Sequence, residues 1–109
     1  MLLDKGADVS RKDNLGRTIL MLAAAYGHRE VVQLLLSQEK IDINAKDNFG
    51  RTALIWAAKN GQVQVIKLLL EKNAKQDIAD RGQKTALLWA EENDSGEAVE
   101  LLRSDTANL

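Results

Sequence analysis

Apolar residues along this chain fall into short clusters that return at a fixed distance. The central stretch reads Thr52-Ala53-Leu54-Ile55-Trp56-Ala57-Ala58, stops at Gly61, and resumes with Val63, Val65, Ile66, Leu68 and Leu69. Apolar residues three and four places apart share one side of a helix, so the stretch predicts two short helices joined by a glycine turn. A copy stands upstream, with helices predicted over roughly Ile19 to Tyr26 and Arg29 to Leu36. Its first helix packs through Leu20, Ala23 and Ala24, and its second buries Val31, Val32, Leu34 and Leu35. A third copy opens at Thr85-Ala86-Leu87-Leu88-Trp89-Ala90 and continues into a helix over Glu97 to Arg103 that buries Val99 and Leu102 at least in part. Ser104 to Leu109 is expected to fray.

Polar punctuation repeats with the same step. Asp13-Asn14-Leu15-Gly16 returns as Asp47-Asn48-Phe49-Gly50 and as Asp80-Arg81-Gly82-Gln83, at offsets of 34 and 33 residues. Asn14 and Gly16 suit positive φ at the tip of a hairpin-like loop. Thr18 and Thr52 are natural N-caps, and Gly27 and Gly61 natural helix stops. In the central tail Asn73 takes a glycine position, while Lys75 and Gln76 suggest looser packing. Asp94-Ser95-Gly96-Glu97 reads as a helix start. A fixed period of this size predicts a stacked repeat array. The expected division is one domain over 1–109: the tail of a truncated repeat at 1–12, repeats at 13–46 and 47–79, and a degenerate C-terminal capping repeat at 80–109. Leu2-Leu3 stand where Leu69-Leu70 stand in the central copy, so the chain is expected to start inside a repeat of a longer protein. Apolar surface is then expected near Leu20, Leu34 and Leu35, with self-association possible through the uncapped N-terminal end.

The unit resembles the ankyrin repeat. The family's Thr-Pro-Leu-His-x-Ala signature is matched by Thr18-Ile19-Leu20-Met21-Leu22-Ala23 and its copies at Thr52 and Thr85, together with the Gly27 and Gly61 positions and the Gly6-Ala7-Asp8-Val9 and Ile41-Asp42-Ile43-Asn44 tails. The resemblance implies an all-α solenoid of stacked helix-turn-helix units with hairpin-like loops. It also implies a Gly-His turn whose ring bonds backbone, here at His28.

Composition narrows the chemistry. The chain has no Cys and one His, and its net charge of −1 argues against bulk attraction to nucleic acid or an anionic membrane. A lone imidazole gives neither a metal cage nor an oriented base, and Asp13, Asp47 and Asp80 are equivalent turn residues and no acid-base pair. No catalytic residue, metal site or cofactor is expected, and the protein is not expected to be an enzyme. No apolar run reaches the length of a membrane span, and a cytoplasmic or nuclear location is the default.

Ankyrin arrays bind partners through loop tips and the exposed side of the first helix. Carried onto this sequence, that implies partner-binding residues Lys12, Asn14, Leu15, Arg17, Tyr26, Lys46, Asn48, Phe49, Arg51, Lys59, Asn60, Arg81 and Lys84. Arg17, Arg51 and Lys84 share one place in the three copies, and with Lys12, Lys46 and Lys59 they predict a positive stripe set with Leu15, Phe49 and Tyr26. The expected partner is a protein with an acidic patch. The alternatives are a structural or sensor spacer within a multidomain receptor or effector, and a module for an anionic small ligand. Trp56 and Trp89 share a repeat position and are expected to stack across the interface in the core, an exposed ladder being the other option. Asn44 matches the spacing that ankyrin proteins offer to asparaginyl hydroxylases, with Leu36, Asp42 and Ile43 in place; loop closure by its side chain is the favoured reading and explains the residue without any enzyme.

Overall fold

The computed structural model describes residues 9–107. Among them are six helices: α1 (Ile19–Ala25), α2 (Arg29–Leu36), α3 (Ala53–Lys59), α4 (Val63–Glu71), α5 (Ala86–Glu92) and α6 (Gly96–Ala107). Each first helix starts at a threonine whose hydroxyl accepts an N–H three residues on, from Met21, Ile55 and Leu88 respectively. These bonds satisfy donors that a helix start leaves without a partner.

The loop before each threonine is built the same way three times. The Asp13, Asp47 and Asp80 N–H groups donate to the carbonyls of Arg17, Arg51 and Lys84 at 3.0, 2.9 and 2.9 Å. Each aspartate's Oδ1 accepts from the backbone N–H two and four residues later. With those N–H groups held, one residue must reverse the chain. Positive φ therefore falls on Gly16 (78°) and Gly50 (76°) but not on Asn14, and in the third repeat on Gln83 (67°). A Cβ at Gly16 would lie 2.9 Å from the Asn48 backbone nitrogen, so close approach of the next loop also requires glycine there. Gly27, Gly61 and Asp94 end the first helices with positive φ, and Asn73 adopts it in the central tail.

Helices α1, α3 and α5 pack side by side as one layer, and α2, α4 and α6 as a second behind it. Small residues (Ala23, Ala24, Ala57, Ala58, Ala90) line the first layer, against Leu35, Ile66, Leu69 and Leu102 from the second. Leu20 and Leu35 are fully buried, as the helix pattern predicts and contrary to the apolar surface expected near them, because both enter this shared core with Val9. Leu34 is 46% exposed while its counterpart Leu68 is 8% exposed. The difference follows from order: α2 packs against α4 in the second layer, and no described helix of that layer comes before α2. Val31 is likewise only half-buried. Helix α6 runs through Ala107, past the Ser104 where fraying was expected. Residues 1–8, which hold most of the expected truncated repeat, and 108–109 lie outside the described range.

Successive repeats are stitched by bonds to backbone. Asn48 and Arg81 N–H donate to the Leu15 and Phe49 carbonyls, each at 2.9 Å. Asn60 Nδ2 donates to Ala25 O at 2.9 Å, and the equivalent Asn93 Nδ2 to Ala58 O at 3.2 Å. Asn60 thereby satisfies a carbonyl at the C-terminal end of α1, while Ala58 O accepts the Gly61 N–H as well as Asn93. The central tail is tied too, since Lys75 N–H donates to Asn44 Oδ1 at 2.9 Å.

Candidate recognition site

On the loop-tip side of the first helix layer, the repeated Asp and Trp positions make a ladder. The Trp56 indole N–H donates to Asp47 Oδ2 at 3.0 Å, and Trp89 repeats the bond to Asp80 Oδ2 at 2.9 Å. Both rings are half-buried, covered by cations rather than lost in the core. The Arg51 guanidinium carbon lies 5.1 Å from the Trp56 ring centroid, 5.4 Å from Trp89 and 5.4 Å from Phe49. Lys59 Nζ lies 5.9 Å from Trp56 and 5.3 Å from Trp89, and Lys84 Nζ 4.3 Å from Trp89. Such contacts attract through the negative face of the ring. Lys84 also pairs with Glu92.

The two arginines lie differently. Trp56 donates to Asp47 Oδ2, and Arg51 reaches across to the following repeat, where its Nε sits 3.7 Å from Asp80 Oδ2. That Nε is buried without a hydrogen-bond partner, and the three rings enclose its charge. In the first repeat Leu22 stands at the tryptophan position, Asp13 Oδ2 is open, and Arg17 Nε takes it at 2.9 Å. The Arg17 backbone N–H, together with its side chain and the Leu15 N–H, holds the Asp13 carboxyl below its ordinary range. At Asp80 burial pushes upward, but the Lys84 N–H, the Trp89 indole, the Gly82 N–H and the Arg51 charge outweigh it and the net shift is downward.

The residues named from the sequence divide by what holds them. Leu15, Tyr26 and Phe49 are exposed apolar side chains, Tyr26 the most open at 69%. Lys46 and Arg81 are exposed on the loop tips. Arg51, Lys59 and Lys84 are partly buried in the ladder, and Arg17 in its own turn. Lys12 Nζ donates to Lys46 O at 2.9 Å, and Asn48 Nδ2 to Asn14 O at 3.2 Å, so these side chains join loops, as Asn60 joins helices. Asn44 bonds Lys75, and its own N–H donates to Asp42 Oδ1 at 3.0 Å. His28 precedes α2 without a side-chain capping bond; its ring lies 6.2 Å from that of Tyr26. Reading by residue type left Trp56, Trp89 and Asp80 out of the candidate set. Their signal was the nine-residue spacing from Asp47 to Trp56 and again from Asp80 to Trp89. A cavity of about 320 Å³ lies elsewhere, among Val9, Thr18, Ile41, Asn44 and Lys46; it adjoins the start of the described range and holds none of the rings.

Two family models match, one described as ankyrin repeats in three copies over residues 39–109 and one as ankyrin repeats in many copies over residues 2–57. Each spans more than half of the chain, which therefore belongs to the ankyrin-repeat family. Ankyrin repeats are generally non-catalytic modules that bind proteins. Among curated proteins, the chain is 56% identical over 36 residues to the E3 ubiquitin-protein ligase XBAT33 of Arabidopsis thaliana. It is equally similar, over the same length, to the probable E3 ubiquitin-protein ligase XBOS33 of Oryza sativa subsp. japonica. Each match covers 33% of this chain and 7% of the relative. Among the described residues, no helix is long and apolar enough to cross a membrane.

Proposed function

We propose that this chain is a recognition segment of a longer protein, binding an acidic surface of a protein partner through its loop tips and the exposed side of α1, α3 and α5. The observation that carries the reading is the row of cations set among aromatic rings on that one side. Arg51, Lys59 and Lys84 are fixed against Trp56 and Trp89, while Phe49 and Tyr26 stay open beside Lys46 and Arg81. Aromatic and arginine side chains on a rigid support are the residue types that dominate interface energies. The aspartates of the ladder keep their charges, but Arg17, Arg51, Lys59 and Lys84 together with the exposed Lys46 and Arg81 outnumber Asp13, Asp47, Asp80 and Glu92 on this face. The resemblance to two ubiquitin ligases gives no ligase activity to a segment that matches so little of their length.

The third repeat is read as the polar end of this segment. Glu91 and Arg103 stand at positions held by Ala58 and Leu70 in the central repeat, and they pair at 2.7 Å. An ion pair on that side suits contact with water. A photo-crosslinking amino acid placed at Phe49 or Tyr26 tests the recognition reading. It should capture a partner that the same group at Lys67 or Arg29, on the second layer, does not; equal capture from both sides removes the reading.

A further inference from the structure

The ladder has a gap at its first step. Leu22 stands where Trp56 and Trp89 stand, and Ala25 where Lys59 stands. Those two shorter side chains leave a notch of about 70 Å³ between α1 and α3, lined by Arg17, Leu22, Ala25, Tyr26, Trp56 and Asn60. One step further along, Arg51 and Lys59 fill the corresponding space between Trp56 and Trp89. The Trp56 ring thus carries its cations on the side shared with Trp89 and meets the notch on the side shared with Leu22.

We propose that this notch receives an aliphatic side chain from an acidic segment of the partner protein. The inference rests on the recognition reading above and specifies what that face takes. The lining favours an apolar occupant at its floor, where Leu22, Ala25 and the Trp56 ring lie; Asn60 Nδ2 is held by Ala25 O and Arg17 Nε by Asp13, and the partly exposed Arg17 keeps its remaining guanidinium N–H groups for water or a partner carboxylate. A volume of this size holds the branched end of a leucine or the thioether end of a methionine but not an indole. Charge selects the residues on either side. Arg17 stands at the rim and Lys59 beyond the ring, while Asp13 and Asp47 are committed to their own turns and to Trp56. A basic occupant is disfavoured, since a third cation on Trp56 would face Arg51 and Lys59 through the ring.

The test uses three peptides titrated into the isotopically labelled chain and followed by NMR: Asp-Glu-Leu-Glu-Asp, the same peptide with Ala for Leu, and Lys-Lys-Leu-Lys-Lys. The leucine peptide should bind about tenfold more tightly than the alanine peptide, from the aliphatic surface it buries. It should shift the Trp56 indole N–H and the Ala25 amide while moving the Trp89 indole less. Leu22→Trp and Ala25→Met each fill the notch from inside and should lower the leucine peptide to the alanine peptide's affinity; the smaller change at Ala25 serves if the larger one unfolds. Absence of binding by the leucine peptide, no advantage over alanine, or tighter binding of the lysine peptide overturns the proposal. If both acidic peptides bind equally, and both are lost on Lys46→Glu with Arg81→Glu, the recognition face stands and the notch falls. If those loop-tip changes have no effect either, both readings fall.

Discussion

The indole N–H of Trp56 donates to Asp47 Oδ2, and Arg51 lies not against its own loop's aspartate but 3.7 Å from Asp80 Oδ2 in the next repeat. The first repeat serves as the internal control, since Leu22 cannot make the bond and Arg17 stays with Asp13. Where tryptophan stands at that position the arginine spans two repeats as a clamp, and where leucine stands it stays a local turn contact. Arg51→Met keeps the length of the side chain and removes its charge from among three rings. It should cost about 1–2 kcal/mol in urea unfolding, and Arg51→Lys should recover little, because an ammonium lacks the planar face that lies over the rings. Unfolding unchanged in Arg51→Met would show that the clamp contributes nothing.

Much of this was legible in the sequence, and the boundary has a physical cause. Thr18, Thr52, Gly27, Gly61 and the recurring Asp loops act through bonds to backbone within a few residues, so spacing alone reveals them. Asn73 in the left-handed region is a local preference of the same kind. The environment of Arg51 is not local. By residue type it belongs with Arg17 in a solvent-facing stripe, yet its surroundings come from Trp89 and Asp80, a full repeat away. The bond from Asn60 to Ala25 O escapes the sequence for the same reason, because its acceptor lies on the previous repeat.

Gln83 holds φ of 67° where Gly16 and Gly50 supply the same turn without strain. Gln83→Gly should therefore stabilise the protein by about 1 kcal/mol, the usual relief when a side chain leaves the left-handed region. A denaturation midpoint that falls instead would mean the Gln83 side chain contributes more than its backbone costs.

Leu54 is 1% exposed in the middle of the stack. Leu54→Ala should cost about 2–5 kcal/mol, a large fraction of what so short an array can have, since each layer is held by its neighbours. Calorimetry decides it, and a melting temperature within a degree or so of the parent would contradict the register of the stack.

Acid should loosen the ladder in a defined window. Asp80 is more acidic in the folded chain than its ordinary value of 3.8, so the stability it adds is fully present above that value and is lost as pH falls below it toward the folded value. Asp13 shifts the same way at an open site, where solvent screening keeps the effect small. Asp80→Asn should be less stable than the parent at neutral pH, with the difference shrinking as pH drops below 3.8. A difference that stays constant across that range would assign the residue's contribution to neutral hydrogen bonds alone.

The central claim, that the loop tips and first helix layer form the partner-binding face, is tested most directly by association kinetics with the captured partner. Lys46→Glu with Arg81→Glu reverses two exposed loop-tip charges outside the ladder, and Arg29→Glu with Lys67→Glu does the same on the second layer. Charges at the edge of an interface act mainly on encounter, so the first pair should slow association about tenfold or more at low salt, with melting unchanged. The second pair should leave the rate within about twofold, the scale expected of charges lying beyond a screening length. Equal slowing by both pairs, or none from the loop-tip pair, would contradict the account.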